Sequence, residues 1–171
     1  MTDAPEADLL FKEFDADNAE PPRRMSGGAV GFDFWAEEII HEDAHSIWYR
    51  TGYGVQIPES FFGDLRARSS VSETGLVLAN GCGVVDPDYR GEIQFRFYKQ
   101  TSDMAVSDFG ERTEAGQEYI RSVDIYEPGD RIGQMILVRS YHDQFTGTSV
   151  VDEFPDKTGR GESGFGSTGK K

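Results

Sequence analysis

The chain has 171 residues, 31 acidic and 17 basic, giving a formal net charge of −14, with 37% hydrophobic residues and a single cysteine, Cys82. That length predicts one domain with a sizeable core, and the absence of any apolar run near 18 residues predicts no membrane span. The acidity argues against gripping long nucleic acid, which needs a basic face, and the lone cysteine excludes an internal disulfide and fits a reducing compartment.

The opening "MTDAPEADLL" lacks a basic region followed by an apolar one, so no signal peptide is expected and the expected location is the cytoplasm, a host's if the gene is phage-borne. Beyond it, short runs rich in β-branched and aromatic residues recur between Gly, Pro, Asn and Asp. They predict an all-β barrel or sandwich. "LLFKEFD" is the first such run, and "WAEEIIHEDA" fits either a turn or two of helix or a strand. "SIWYRTGYGVQIP" predicts a long strand. "GLVLANGCGVV" holds an Asn-Gly between apolar runs, a hairpin signal. In "GEIQFRFYKQ" the residues alternate, with Ile93, Phe95 and Phe97 on one face and Gln94, Arg96 and Tyr98 on the other. A polar segment from Gln100 to Glu127 follows, long enough to suggest a function, with a short helix or added hairpin conceivable in "EAGQEYIRSVDIY". "GQMILVRSY" is the last strand, and residues 157–171 form a glycine-rich tail. Trp35, Trp48, Phe61 and Phe62 read as core, and His41, His45 and His142 as surface or structural residues.

Four stretches carry residue types that suit phosphate chemistry. "ARSS" sets Arg68 beside the hydroxyls of Ser69 and Ser70, a set able to hold phosphate oxygens, though an ordinary surface loop has the same composition. In "GVVDPDYRGEI", Asp86 ends an apolar strand with Pro87 behind it; it is placed either to orient water as a general base or simply to make the turn. In "PGDRIGQMIL", Gln134 is an amide inside an apolar run, which needs a structural partner or a ligand. The tail "GRGESGFGSTG" adds Arg160, Phe165, Ser167 and Thr168 among glycines that let backbone N–H groups approach phosphates.

In that order the stretches resemble the five motifs of the trimeric dUTPase family: "GGAVGFDFWA", "ARSSVSETG", "NGCGVVDPDYRGEI", "PGDRIGQMI" and the glycine-rich tail. The resemblance implies a distorted jelly-roll (β-clip) barrel over residues 1–156, a homotrimer, and a C-terminal arm, 157–171, exchanged between subunits and closing over the site. The implied activity is hydrolysis of dUTP to dUMP and pyrophosphate. Asp86 resembles the aspartate that activates water for attack on the α-phosphorus. Tyr89 resembles the ring that packs on deoxyribose, and Asn80, Gly83, Val84 and Val85 the hairpin that reads uracil. Arg68, Ser69, Ser70 and Gln134 would hold phosphates, Asp33 and Gln94 would support the site, and Phe165 would stack on the base. Arg160, Gly166, Ser167 and Thr168 would clasp the terminal phosphate. Mg²⁺ is expected on the substrate's phosphate oxygens, with no direct protein ligand.

The sequence departs from the family pattern at Phe34, Ser70 and Ser163, in a "VSETG" loop one residue short, and in the segment 100–127. Some phage dUTPases carry extra sequence there, which implies a surface for a protein partner. Two alternatives remain open at this point. A dCTP deaminase shares the fold, but Arg96 stands where its catalytic glutamate would align. The other is a nucleotide-gated regulatory protein acting through that segment.

Overall fold

The computed structural model describes residues 8–100, 123–141, 144 and 147–152. Residues 1–141 and 142–171 form separate compact units, and every described strand lies in the first; the described residues of the second are exposed and outside any strand.

Among the described residues, nine strands build two antiparallel sheets: β1 (Leu10–Glu13), β2 (Gly31–Trp35), β3 (Glu38–Glu42), β4 (Ser46–Gln56), β5 (Phe61–Ala67), β6 (Leu76–Leu78), β7 (Gly83–Val85), β8 (Glu92–Lys99) and β9 (Arg131–Arg139). One sheet runs β1-β4-β8-β6, with β3 also on β4; the other runs β2-β9-β5-β7. The predicted all-β class holds. "EIIHE" is strand rather than helix, because β3 finds a long partner in β4, His41 opposite Trp48 and Glu42 opposite Ile47.

The alternation in β8 decides which way the sheet faces. Ile93, Phe95 and Phe97 are buried and Gln94, Arg96 and Tyr98 exposed, as their period of two predicts. Phe34, Tyr49, Phe95, Phe97, Ile132 and Met135 fill the space between the sheets. Their rings pack mostly edge-on or tilted, for example Tyr49 against Phe97 at 6.0 Å and Phe34 against Phe95 at 6.1 Å. Trp35 belongs to this core, but Trp48, Phe61 and Phe62 do not fully. Trp48 is half-buried on the outer face, with the Arg96 guanidinium 4.4 Å from its ring centre.

The Asn-Gly signal gives the turn correctly and the pairing wrongly. The chain turns at Asn80-Gly81, Gly81 adopting a φ of 65°, but the flanking strands do not pair with each other. β6 joins β8 in one sheet while β7 joins β5 in the other, so the turn carries the chain between sheets.

The polar segment also ends earlier than residue 127. Residues 101–122 lie outside the described residues, but Val123 and Ile125 pack on the core, and Tyr126 is buried with its N–H donating to the Tyr49 hydroxyl at 3.0 Å.

One buried acid ties the N-terminal segment to the barrel. Glu37, 6% exposed, accepts from the N–H groups of Asn18 and Ala19 at 2.7 Å each. Burial alone would raise its carboxyl, but the bonds from Ala19 and Asn18 outweigh it and hold the carboxyl below the ordinary glutamate value. A depressed folded-state pKa contributes stability above the unfolded value and loses it as pH falls through the folded one. Glu37→Gln, which turns an amide N–H₂ toward these donors, is expected to cost about 2 kcal/mol at neutral pH, roughly 4–8 °C for a domain of this size. Melting curves from pH 7 down to pH 3 should show the gap between variant and parent shrinking; a gap independent of pH would remove the charged bond from the account.

Candidate active site

β5 organises the site, because it lies between β9 and β7 and each of its ends leads to one group of candidate residues. On one side Arg66 faces Gln134 and Ala67 faces Gly133; on the other Leu65 faces Gly83 and Gly63 faces Val85.

At the C-terminal end of β5, Arg68 has extended backbone and leads into a short 3₁₀ turn, Ser69–Glu73. Its Nη1 donates to the Arg131 carbonyl at 3.0 Å. Asp33, on β2 directly across from Gln134, accepts from Arg131 Nη1 at 3.0 Å and lies 3.7 Å from Arg68 Nε. Two guanidiniums thus share one largely buried carboxylate, leaving local positive charge in a strongly acidic chain. Among the described residues Gln134 makes only a long bond, Nε2 to the Ala67 carbonyl at 3.5 Å. Ser69 is exposed and Ser70 half-buried. Burial pushes the Tyr126 phenol up, while the Ser70 hydroxyl and the Arg68 charge pull the other way. Trp35, Arg68, Tyr126, Gly129, Asp130 and Arg131 line a shallow depression of about 330 Å³. The structure therefore brings Asp33, Arg68 and Gln134 together with the serines, and adds Arg131 and Tyr126, which sequence reasoning passed over.

The Asn80 turn lies toward this same end of β5. Gly81 N–H donates to the Leu78 carbonyl at 3.0 Å, and Asn80 is exposed. A hollow of about 270 Å³ opens beside it, lined by Leu65, Leu78, Asn80, Gln94, Arg96 and Tyr98 among others. Gly83 and Val85 are buried under the sheet, while Val84 is 66% exposed.

Asp86 lies at the opposite end. One further step of the β5–β7 pairing sets it across from Phe62, six residues from Arg68, or about 20 Å along an extended strand. It begins the turn into β8, its carbonyl accepting the Tyr89 N–H at 3.1 Å. The carboxylate is exposed, and no described side chain bonds to it or pairs with it. Tyr89 is 44% exposed, its hydroxyl donating to the Glu92 carbonyl at 3.0 Å. The tail residues Arg160, Phe165, Gly166, Ser167 and Thr168 lie outside the described residues.

Known proteins share both the motifs and the architecture. The dUTPase family model matches residues 17–112. A deoxyuridine 5'-triphosphate nucleotidohydrolase of Desulfitobacterium hafniense is 35% identical over 153 residues, 86% of each chain. One from Paramecium bursaria Chlorella virus 1 is 34% identical, covering 94% of this chain and 97% of its own. The solved structure of the Staphylococcus bacteriophage 80alpha dUTPase with dUPNHPP matches with a TM-score of 0.74 and 27% identity, over 95% of this chain and 98% of that one. The class is therefore an all-β enzyme of jelly-roll type. Within that class, the chain belongs to the dUTPase family.

Proposed function

We propose that the chain hydrolyses dUTP to dUMP and pyrophosphate, using Asp86 to orient a water molecule and take its proton as the oxygen bonds to the α-phosphorus. The bond from that phosphorus to the bridging oxygen breaks and pyrophosphate leaves. The observation that carries this reading is the pair Arg68 and Arg131 braced by Asp33, with Ser69 and Ser70 alongside: fixed cations and hydroxyls for a polyphosphate in a chain otherwise hostile to anions.

The separation of Asp86 from this cluster supports a site shared between copies of the chain, and so a homotrimer in which Asp86 and Tyr89 of one subunit meet Arg68, Ser69, Ser70 and Gln134 of another. The tail closes over the pocket, Phe165 stacking on uracil and Arg160, Gly166, Ser167 and Thr168 meeting the terminal phosphate. Asn80, Gly83, Val84 and Val85 supply the base pocket, with Gln94 beside the Asn80 turn as support.

The donors at the cluster are guanidiniums and hydroxyls, which suit phosphate oxygens rather than a cation, and Asp33 is committed to its two arginines. Mg²⁺ would thus arrive on the triphosphate, where it neutralises charge on the phosphates and the departing pyrophosphate. No helix among the described residues is long and apolar enough to cross a membrane, and we place the reaction in the cytoplasm. The polar segment from Gln100 to where the chain returns to the core at Val123 is the proposed surface for a protein partner; the 80alpha dUTPase is itself described as controlling transfer of virulence genes.

Pyrophosphate release measured side by side with dUTP, dTTP, dCTP and UTP, with and without Mg²⁺, tests the activity. Turnover of dUTP alone, strongest with Mg²⁺, is the expected result. Ammonia release from dCTP would move the chain to the deaminase reading.

A further inference from the structure

We infer that Glu92, backed by Arg50, is a positioning residue that fixes the Tyr89 ring and so sets the preference for deoxyribose over ribose. This rests on the reading of Tyr89 as the ring that meets the sugar.

Glu92 opens β8, yet its carboxylate is turned away from solvent: the Glu92 and Arg50 side chains are 17% and 18% exposed. Glu92 Oε1 accepts from Arg50 Nε at 3.2 Å and from the Gly52 N–H at 2.5 Å. Between Arg50 and Gly54 the register of β4 against β8 shifts, so this one oxygen spans the irregularity and pins the first residue of β8 to β4. Arg50 is itself held from other sides, Nη1 donating to Glu38 at 3.2 Å and Nη2 to the Asp15 carbonyl at 2.8 Å.

The carbonyl of this anchored residue is the acceptor for the Tyr89 hydroxyl. The turn between them is seated closely. A Cβ on Gly91 would strike the Tyr89 phenol, and one on Gly54 would stand 2.7 Å from the Gly91 carbonyl oxygen. Arg90 Nη1 closes the turn by donating to the carbonyls of Pro87 at 2.6 Å and Tyr89 at 2.8 Å. Contact thus runs unbroken from the Arg50 guanidinium through Glu92 to the phenol. Tyr89 needs it, because a ring nearly half exposed is not fixed by packing alone, and excluding a single oxygen requires a wall that does not yield.

The test is the ratio of kcat/KM for dUTP to that for UTP in the full chain. Glu92→Ala removes both bonds to the carboxylate and is expected to lower that ratio about tenfold, chiefly by letting UTP in. Glu92→Gln keeps an acceptor for Gly52 and loses only the charge; it should fall between parent and alanine, and it serves where the alanine variant folds poorly. Glu92→Ala added to Tyr89→Phe should move the ratio no further than Tyr89→Phe alone, since both break one chain of contacts. A merely structural role would slow both substrates alike and leave the ratio unchanged. If Tyr89→Ala shifts the ratio while neither Glu92 variant does, the inference is overturned and the reading of Tyr89 stands. If Tyr89→Ala leaves the ratio untouched, that reading fails and takes the inference with it.

Discussion

Asp86→Asn is expected to lower pyrophosphate release from dUTP by about 10³-fold, within the range for losing a positioned general base, while nucleotide binding stays within a few-fold of the parent. The argument starts from what the carboxylate does not do in the fold. It is exposed, and no described side chain bonds to it; only its backbone carbonyl takes part in the turn. Asparagine keeps the shape and suits turns, so the melting temperature should not move. A side chain with no structural task leaves chemistry as the property its charge can change. Single-turnover pyrophosphate release, set beside calorimetric binding of a non-hydrolysable dUTP analogue, separates the two quantities. Asp88→Asn is the control, an equally exposed acid two residues on. Comparable losses in both variants would mean that general negative charge, rather than one base, drives the reaction.

How much of this was legible in the chain depended on range. β8 could be read whole, because alternation is a local property and burial on one face enforces it. β3 could not be separated from helix, since "EIIHE" has two isoleucines side by side and its stability comes from partners five to twelve residues further along the chain. The turn at Asn80-Gly81 was visible in two letters, but which strands its arms would join depends on β8 and β5, and no local signal encodes that.

The site divides the same way. Arg68, Ser69 and Ser70 announce themselves as adjacent letters. In "PGDRIGQ" the amide of Gln134 inside an apolar run is the unusual feature, whereas Arg131, an arginine after a turn, carries no local signal. Its importance comes from Asp33, 98 residues away in sequence and 3.0 Å away in space. Tyr126 sits at the end of a polar stretch that hides it, and "DIY" ahead of a Pro-Gly turn is the one local sign that the chain has returned to the core.

The pairing of β5 with β7 leads to a result that a single-chain site cannot produce. Asp86 and Arg68 lie toward opposite ends of β5, so in the proposed shared site the base and the phosphate cluster come from different subunits. Asp86→Asn and Arg68→Ala should each be inactive alone. When the two are unfolded together in equal amounts and refolded, subunits mix at random. A site is then whole when the subunit giving Asp86 carries the Arg68 lesion and its neighbour carries the other. With half of each kind, about a quarter of sites meet both conditions, so roughly a quarter of the parent's activity should return. Refolding either variant alone should return none, and the parent taken through the same procedure sets the activity that counts as full recovery. Arg68 is tied to the Arg131 carbonyl and to Asp33, so the variant's fold must be checked by its melting curve before mixing. Recovery near zero from two well-folded variants would mean that base and cluster come from the same chain. The arm or a loop beyond the described residues would then have to bridge some 20 Å, and the shared-site reading would be lost.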